Sequence, residues 1–517
     1  MREIEVRVRT EPGVAPEKRM IEAGSSLESV MRIFEGRFRY PIYAARLNNR
    51  IADLTQVVTE PSEIVFLDTR DSCAKEIYQR SVIALFRKAL KKIFPEHDMC
   101  IGNSLNRGIY TEIKDLDGLS HMATEMIEDL MWEMVKEKLP FSEIDHGEEQ
   151  VVPHAGYLKS FDLKKYHDGI VIRISEDTYP HGLAPYVDNK NLYDAFEIQK
   201  EWSIKLGIET CADLNRKIGA GEIEDIIRIS EALQEKNISD LADEIVRSGR
   251  RVILIAGPSS SGKTTFAHRL CTQLWVVGEK PVYIGTDDYY IDRKLVPIGP
   301  DGEQNFENLD SIDVALFNEN IKSLLEGKET ELPRFHFASG ERVMGERRVK
   351  AGPNTPIVIE GIHGLNEALT PGIAKEDKFK IYISPLTQIR IDNFTRIPLT
   401  DLRKLRRIVR DATKRGWDAR ATMENWPKVR AGEDVNIFPY SDDADAVFNS
   451  AFVYELAALK KYAEPMLEEI SEDDEYYCEA RRLLCLLSHV DELLDGAQVY
   501  IAGNSILREF IGGSTIV

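Results

Sequence analysis

Cysteine is scarce in this chain: six in 517 residues, at 73, 100, 211, 271, 478 and 485. None forms a Cys-x-x-Cys pair, so neither a zinc ribbon nor a dithiol redox motif is indicated, and reduced thiols are expected. No apolar run approaches the roughly 18 residues needed to cross a bilayer. The opening MREIEVRVRT alternates charged with apolar residues and offers no apolar signal core. These absences predict a soluble cytoplasmic protein with no membrane partner. Positive charge is also short: 67 Lys and Arg face 87 Asp and Glu, for a formal charge of -20. That balance argues against a surface built as a whole to hold nucleic-acid phosphates. Low-complexity tracts and fixed-period repeats are missing too, while 43% hydrophobic and 30% charged residues suit packed domains. The length predicts roughly two to four of them.

Ile4, Val6 and Val8 alternate with charged residues, the period of a half-buried strand. Ser25 and Glu28 are spaced as a capping box for a short helix, and strands are predicted at 41–45 and 63–67 with a turn at Asn48-Asn49. Helical periodicity follows over 78–94, ending before Pro95, and again over 123–138. A boundary is placed near 235–248. The first 70 residues resemble the ubiquitin-like TGS module of threonyl-tRNA synthetase. Residues 84–113 resemble the opening helix and strand of that enzyme's accessory domain, giving an expected second domain over 71–235. In the family that helix carries a His-x-x-x-His pair, and a Cys-x-x-x-His follows. Here Arg80 and Ala84 take the histidine positions, and residues 71–235 contain neither spacing. The resemblance therefore implies a structural or binding role without hydrolytic editing.

Residues 250–256, RRVILIA, read as a buried parallel strand and run straight into Gly257-Pro258-Ser259-Ser260-Ser261-Gly262-Lys263-Thr264-Thr265 and a helical pattern. Strand, Gly-x4-Gly-Lys-Thr loop and helix form a phosphate cradle: the glycines let backbone N–H groups converge on phosphate oxygens at the positive end of the helix. Lys263 is placed to reach the outer phosphates and the Thr264 hydroxyl to hold magnesium, so MgATP is the expected nucleotide. Two further short strands, 282–285 and 356–360, end in Asp287-Asp288 and in Glu360. Their carboxylates should meet the loop at the C-terminal edge of a parallel sheet. Asp287 suits a proton acceptor and Glu360 a direct or water-mediated magnesium contact. Over 402–415, Leu402, Leu405, Val409 and Ala412 form one stripe and Arg403, Arg407, Arg410 and Lys414 another. That pattern fits a cationic lid over the transferring phosphates.

GPSSSGKTT, TDDYY, Asn305-Phe306-Glu307-Asn308, LPRFHF, IEGIHGL and RRIVRDATKRG stand in the order of the uridine kinase branch of the phosphoribulokinase and uridine kinase family, which the stretch 250–450 resembles. The resemblance implies Asp287 as general base, Glu360 as magnesium support, Arg410 and Arg415 as lid residues, and Asn305, Phe306, Glu307 and Phe335 as the nucleoside pocket. Glu307, Phe335 and Trp417 stand where the family usually has aspartate, tyrosine and arginine. Residues 391–404 look like extra length before the lid. From about 451 helical periodicity continues through Leu483-Leu484 and closes on an expected strand over 498–502, a stretch assigned to the outer layer of the kinase domain.

The expectation is thus an α/β chain: a P-loop doubly wound parallel sheet over 236–517, preceded by the two α+β domains. It would phosphorylate a nucleoside 5′-hydroxyl, uridine or cytidine first. A kinase of another small alcohol, such as a sugar phosphate or vitamin, is the alternative. An RNA-binding regulator, with tRNA as partner and the P-loop as a switch, is a third reading that the acidic balance disfavours. Assembly into a homo-oligomer is left open.

Overall fold

The computed structural model describes residues 2–516 apart from 117, 148–149, 176–181, 299–301, 303, 388 and 495. Two units emerge, and neither is a continuous stretch. Unit 1 is Met1–Asn189, Arg390–Pro398 and Leu467–His489; unit 2 is Lys190–Ile389, Leu399–Met466 and Val490–Val517.

In unit 1 the strand Glu3–Arg9 turns Ile4, Val6 and Val8 inward, pairing antiparallel with Glu17–Glu22 and parallel with Ser62–Leu67. Ala44–Leu47 and Arg50–Ala52 complete a five-stranded mixed sheet. Between those two strands Asn48 and Asn49 take the left-handed backbone a tight turn needs (φ 50° and 61°). The strand expected at 41–45 starts only at Ala44. The helix Leu27–Ile33 is capped one residue later than its sequence suggests: the Ser26 hydroxyl accepts from the Ser29 N–H, and Glu28 pairs with Arg32 at 3.0 Å.

Asp71 caps the long helix Ser72–Ile93, which buries Val82, Phe86, Ala89 and Leu90. With His121–Lys136 it shares a core with a four-stranded antiparallel sheet built from Met99–Leu105, Gly108–Ile113, Phe161–Tyr166 and Gly169–Ile174. Arg80 pairs with Glu76 and Ala84 lies in the core.

Two later segments complete this unit. In Arg390–Pro398, the Asn393 carbonyl accepts from the Ile101 N–H at 2.8 Å and the Phe394 ring lies 3.9 Å from the Arg87 guanidinium carbon. Much of the extra length noted at 391–404 is this strap. In Leu467–His489, the Glu472 carbonyl accepts from Asn49 at 2.8 Å, Glu479 from the Ser72 hydroxyl at 2.7 Å, and Arg482 pairs with Glu76. This corrects the placement of that segment in the kinase outer layer: its polar side chains match groups carried by residues 49–76. The chain does contain one Cys-x-x-x-His spacing, Cys485 and His489, and both are exposed on this segment.

Unit 2 is organised by a parallel sheet in the order Val282–Gly285, Ile357–Glu360, Val252–Ala256, Lys378–Ser384, Ala446–Asn449. The central strands are buried along their length, as their unbroken Val and Ile runs require. Val252, Leu254, Ile357 and Ile359 share one core with Phe317, Ile321 and Leu324 of the helix Val314–Leu325. The loop helix Lys263–Val276 sets Phe266 against Phe448 of the last strand, ring centres 4.3 Å apart. The helix Ile223–Ser248 runs unbroken through the boundary expected near 235–248 and ends at Gly249, φ 68°, immediately before the loop strand. The C-terminal strand expected at 498–502 is instead a 3-10 turn, Ala497–Tyr500. Among the described residues no helix is long and apolar enough to cross a membrane.

Candidate functional site

The loop strand ends at Ala256, and the chain must turn before Lys263 opens the next helix. Ser260 and Gly262 both take left-handed backbone, φ 61° and 83°, which rotates successive N–H groups into a concave anion nest. The Ser260 and Ser261 hydroxyls are buried without a protein partner. Their donor capacity and the nest fit a polyphosphate. Lys263 rests against the loop, its ammonium donating to the Gly257 carbonyl at 2.9 Å and the Pro258 carbonyl at 3.3 Å.

Parallel pairing sets Gly285 beside Glu360, and Glu360 beside Ile255, so three strands deliver their ends to one edge. The Thr264 hydroxyl donates to Glu360 Oε1 at 3.1 Å, and the Tyr283 hydroxyl lies 3.2 Å from the same oxygen. Gly361 has to lack a side chain, because a Cβ there would lie 1.7 Å from Thr286 Oγ1. Thr264 and Glu360 together offer only oxygen donors, which suit a hard divalent cation.

Asp287 is exposed, yet protein crowds its carboxylate closely enough that desolvation is the leading influence and lifts its pKa to about 6; Lys263 and Arg415 pull it back, while Glu307 and Asp288 push it up. Glu360 is raised to about 7, first by burial and then by the Asp287 charge, with Lys263 opposing. Two carboxylates that repel each other beside one lysine ask for a cation and for a proton.

The expected lid helix is present as Leu399–Arg415, but its arginines divide their work. Arg403 ion-pairs with Glu433 and donates to the Ser259 carbonyl at 3.0 Å, while Glu433 accepts from the Ser259 N–H at 2.8 Å. Arg406, fully buried, ion-pairs with Glu455 and donates to the Ser260 carbonyl at 3.1 Å. Arg407 donates to the Ser259 hydroxyl at 2.7 Å. The helix therefore braces the phosphate loop through Arg403, Arg406 and Arg407, which corrects the reading of Arg403 and Arg407 as part of one cationic lid face. Asp411, whose side chain is fully buried, gathers Arg407, Arg410 and Arg415 at 3.1, 3.2 and 3.3 Å. Burial drives Arg407 down to about 10 and, with Arg415 next in weight, lowers Arg410. Lys414 is exposed.

Of the expected pocket residues, Phe306 and Phe335 meet around Tyr290, with ring centres 5.7 and 5.6 Å from it, and Phe337 packs on Phe335 at 5.2 Å. Phe335 is 5% exposed, so its ring is mostly core. Asn305 accepts from the Glu307 N–H at 2.9 Å, and Glu307 is raised by burial while Lys263, Arg407 and Arg415 draw it down. Trp417 is exposed. Tyr283, Glu433 and Glu455 stand in no motif, and Asp411 stands in RRIVRDATKRG without an expected role; the sequence gives no sign of their part in the site.

A glycine-rich anion nest, a lysine and two strand-end carboxylates on a parallel sheet define a P-loop phosphotransferase type of site. Residues 252–457 match the model of the phosphoribulokinase / uridine kinase family, and this region is a domain of that family, kinase and nucleotide-binding in class. A uridine kinase of Staphylococcus aureus is 29% identical over 197 residues, covering 38% of this chain and 86% of that protein. A uridine kinase of Tolumonas auensis is 27% identical over 180 residues, covering 34% of this chain and 76% of that protein. A solved structure of a possible uridine kinase from Bacillus stearothermophilus aligns with a TM-score of 0.29 and 19% identity, over 41% of this chain and 98% of that one.

Proposed function

We propose that unit 2 is a MgATP-dependent kinase that phosphorylates the 5′-hydroxyl of a nucleoside, uridine or cytidine first. The observation that carries this reading is the convergence of Asp287, Glu360, Lys263 and Thr264 at one sheet edge. The loop 257–265 holds the triphosphate through its N–H groups and Lys263. Thr264 and Glu360 hold magnesium, which when bound offsets the charge of the transferring phosphate. Asp287, with its pKa near 6, is ionised at neutral pH and accepts the proton of the attacking hydroxyl. Arg410 and Arg415, organised by Asp411, supply cations to the transition state.

For the acceptor, Glu307 faces the Lys263 and Arg407 charges and is positioned to accept from ribose hydroxyls, while Asn305, Phe306 and Phe335 complete the pocket. Phe335 offers a ring without a hydroxyl, so base discrimination weakens or changes relative to tyrosine at that place. For unit 1 we propose the ubiquitin-like module at 1–70 and a synthetase-accessory-like domain after it, in a binding role. The mixed sheet carrying the helix Leu27–Ile33, and the helix Ser72–Ile93 over an antiparallel sheet, support that assignment.

Coupled ADP release over a panel of nucleosides, sugar phosphates, vitamins and tRNA tests the proposal. Turnover with at least one ribonucleoside is expected. Turnover only with a sugar phosphate or vitamin removes the nucleoside assignment and keeps the kinase. Tight, steeply salt-dependent tRNA binding without acceptor-dependent ADP release replaces it with the regulator.

A further inference from the structure

The family-matched region ends at 457, yet the last segment of unit 2 returns to the phosphate loop. Ile506, Leu507 and Phe510 are fully buried. Ile506 approaches Gly262 so closely that a Cβ on the glycine would lie 2.3 Å from its Cγ2. The Arg406 guanidinium, which also holds the Ser260 carbonyl, lies 4.8 Å from the centre of the Phe510 ring.

These contacts fix Glu509, which is half-buried and whose Oε2 accepts a hydrogen bond from the Thr265 hydroxyl at 2.7 Å. Its charge also acts on Arg410 and on Glu360, favouring the cation and opposing the second carboxylate. Glu509 thus touches the first turn of the loop helix, and its charge is felt by the lid cation and the magnesium-supporting acid. Thr265, fully buried with Glu509 on its hydroxyl, stands in the first turn of the loop helix, where an anion is drawn by N–H groups without a helical partner. Its hydroxyl has one proton to donate and serves one acceptor at a time. A nucleotide phosphate and the Glu509 carboxylate both call on that donor, and their charges repel.

We infer that Glu509 is an affinity-setting residue of the nucleotide site: its carboxylate occupies the Thr265 hydroxyl and attracts Arg410, and the phosphate chain of a nucleoside triphosphate binds by displacing it. The inference rests on the kinase reading of unit 2. Glu509 is then a built-in competitor for the phosphate chain, acting on nucleotides according to their charge and leaving the unphosphorylated nucleoside unaffected.

Glu509→Gln keeps the size and one acceptor oxygen while removing the charge. Calorimetric titration of the full chain with MgATP and with adenosine provides the test. The variant is expected to bind MgATP roughly tenfold tighter, the scale of one charge at a helix N-terminus, with adenosine affinity unchanged. In a Thr265→Val background the same substitution should gain less than about twofold, because the contested donor is gone. Equal or weaker MgATP binding by a Glu509→Gln protein with an unaltered melting temperature overturns the inference. A parallel change for adenosine also overturns it, since that signals a purely structural role. If the original chain binds MgATP and loses it on Lys263→Ala while Glu509→Gln gains nothing, the Glu509 assignment alone falls. If neither the original chain nor Glu509→Gln binds MgATP, the kinase reading falls with it.

Discussion

Replacing Asp287 with asparagine removes one charge and changes almost no volume, so its consequences can be followed from the charges around it. With the proton acceptor gone, kcat should fall roughly 10²- to 10⁴-fold, while MgATP still binds because the loop and Lys263 are untouched. Stability should move the other way. Burial, with Glu307 and Asp288, lifts the Asp287 pKa from 3.8 to about 6 against the pull of Lys263 and Arg415. The folded state therefore holds its proton more tightly than the unfolded chain. That contribution to stability is complete below pH 3.8 and lost as pH rises through 6. Undiluted, the shift is worth about 3 kcal/mol; because the carboxylate touches solvent, about 1 kcal/mol is the realistic scale. Asp287→Asn should accordingly melt ~2 °C above the original protein at pH 8, and the gap should close towards pH 4. Coupled ADP release and thermal melts across pH read both effects. In the original protein kcat/KM should decline on the acid side with a midpoint near pH 6. Full activity in the asparagine protein would refute the base assignment, with Asp288 next in line. A melting gain equal at pH 4 and pH 8 would refute the electrostatic reasoning.

Lys263→Ala should reduce phosphoryl transfer by at least roughly 10³-fold in the ADP-release assay, since the transferring phosphate loses its fixed cation. Arg406→Met should cost about 3–5 kcal/mol in denaturant unfolding, because it leaves the buried Glu455 carboxylate unpaired; Arg406→Met with Glu455→Leu should recover part of that loss. Glu307→Ala should raise the acceptor KM roughly tenfold or more with the ATP KM nearly unchanged, as steady-state kinetics with each substrate varied in turn would reveal.

The part of the site visible in the sequence is the part held by short-range geometry. The loop 257–265 announces itself because strand, turn and helix are consecutive, and Asp287 and Glu360 follow because each ends a short apolar run. The arginines of 402–415 were legible as a pattern but not as individuals. Period alone cannot tell Arg403 and Arg406, which close on Glu433 and Glu455, from Arg410 and Arg415, which turn to Asp411. Glu433 and Glu455 arrive from other helices, and only tertiary packing selects among equivalent cations. Glu509 was invisible for the same reason: its meaning lies in Thr265, which no local spacing connects to it. The 3-10 turn at Ala497–Tyr500 was read as a strand because four residues are too few to reveal a period.

The interleaving of the two units bears on how the molecule is made. Read from the N-terminus, the chain passes from one unit to the other five times. When a ribosome has released residue 189, unit 1 still lacks the strap 390–398 and the segment 467–489. It cannot close until residue 489 has emerged. Unit 2 waits longer, since Ile506, Leu507 and Phe510 belong to its core. Folding one domain at a time during synthesis, the usual route for chains of this size, is thus unavailable to either. A fragment cut at residue 235 would end inside the helix Ile223–Ser248 and separate each unit from pieces of itself.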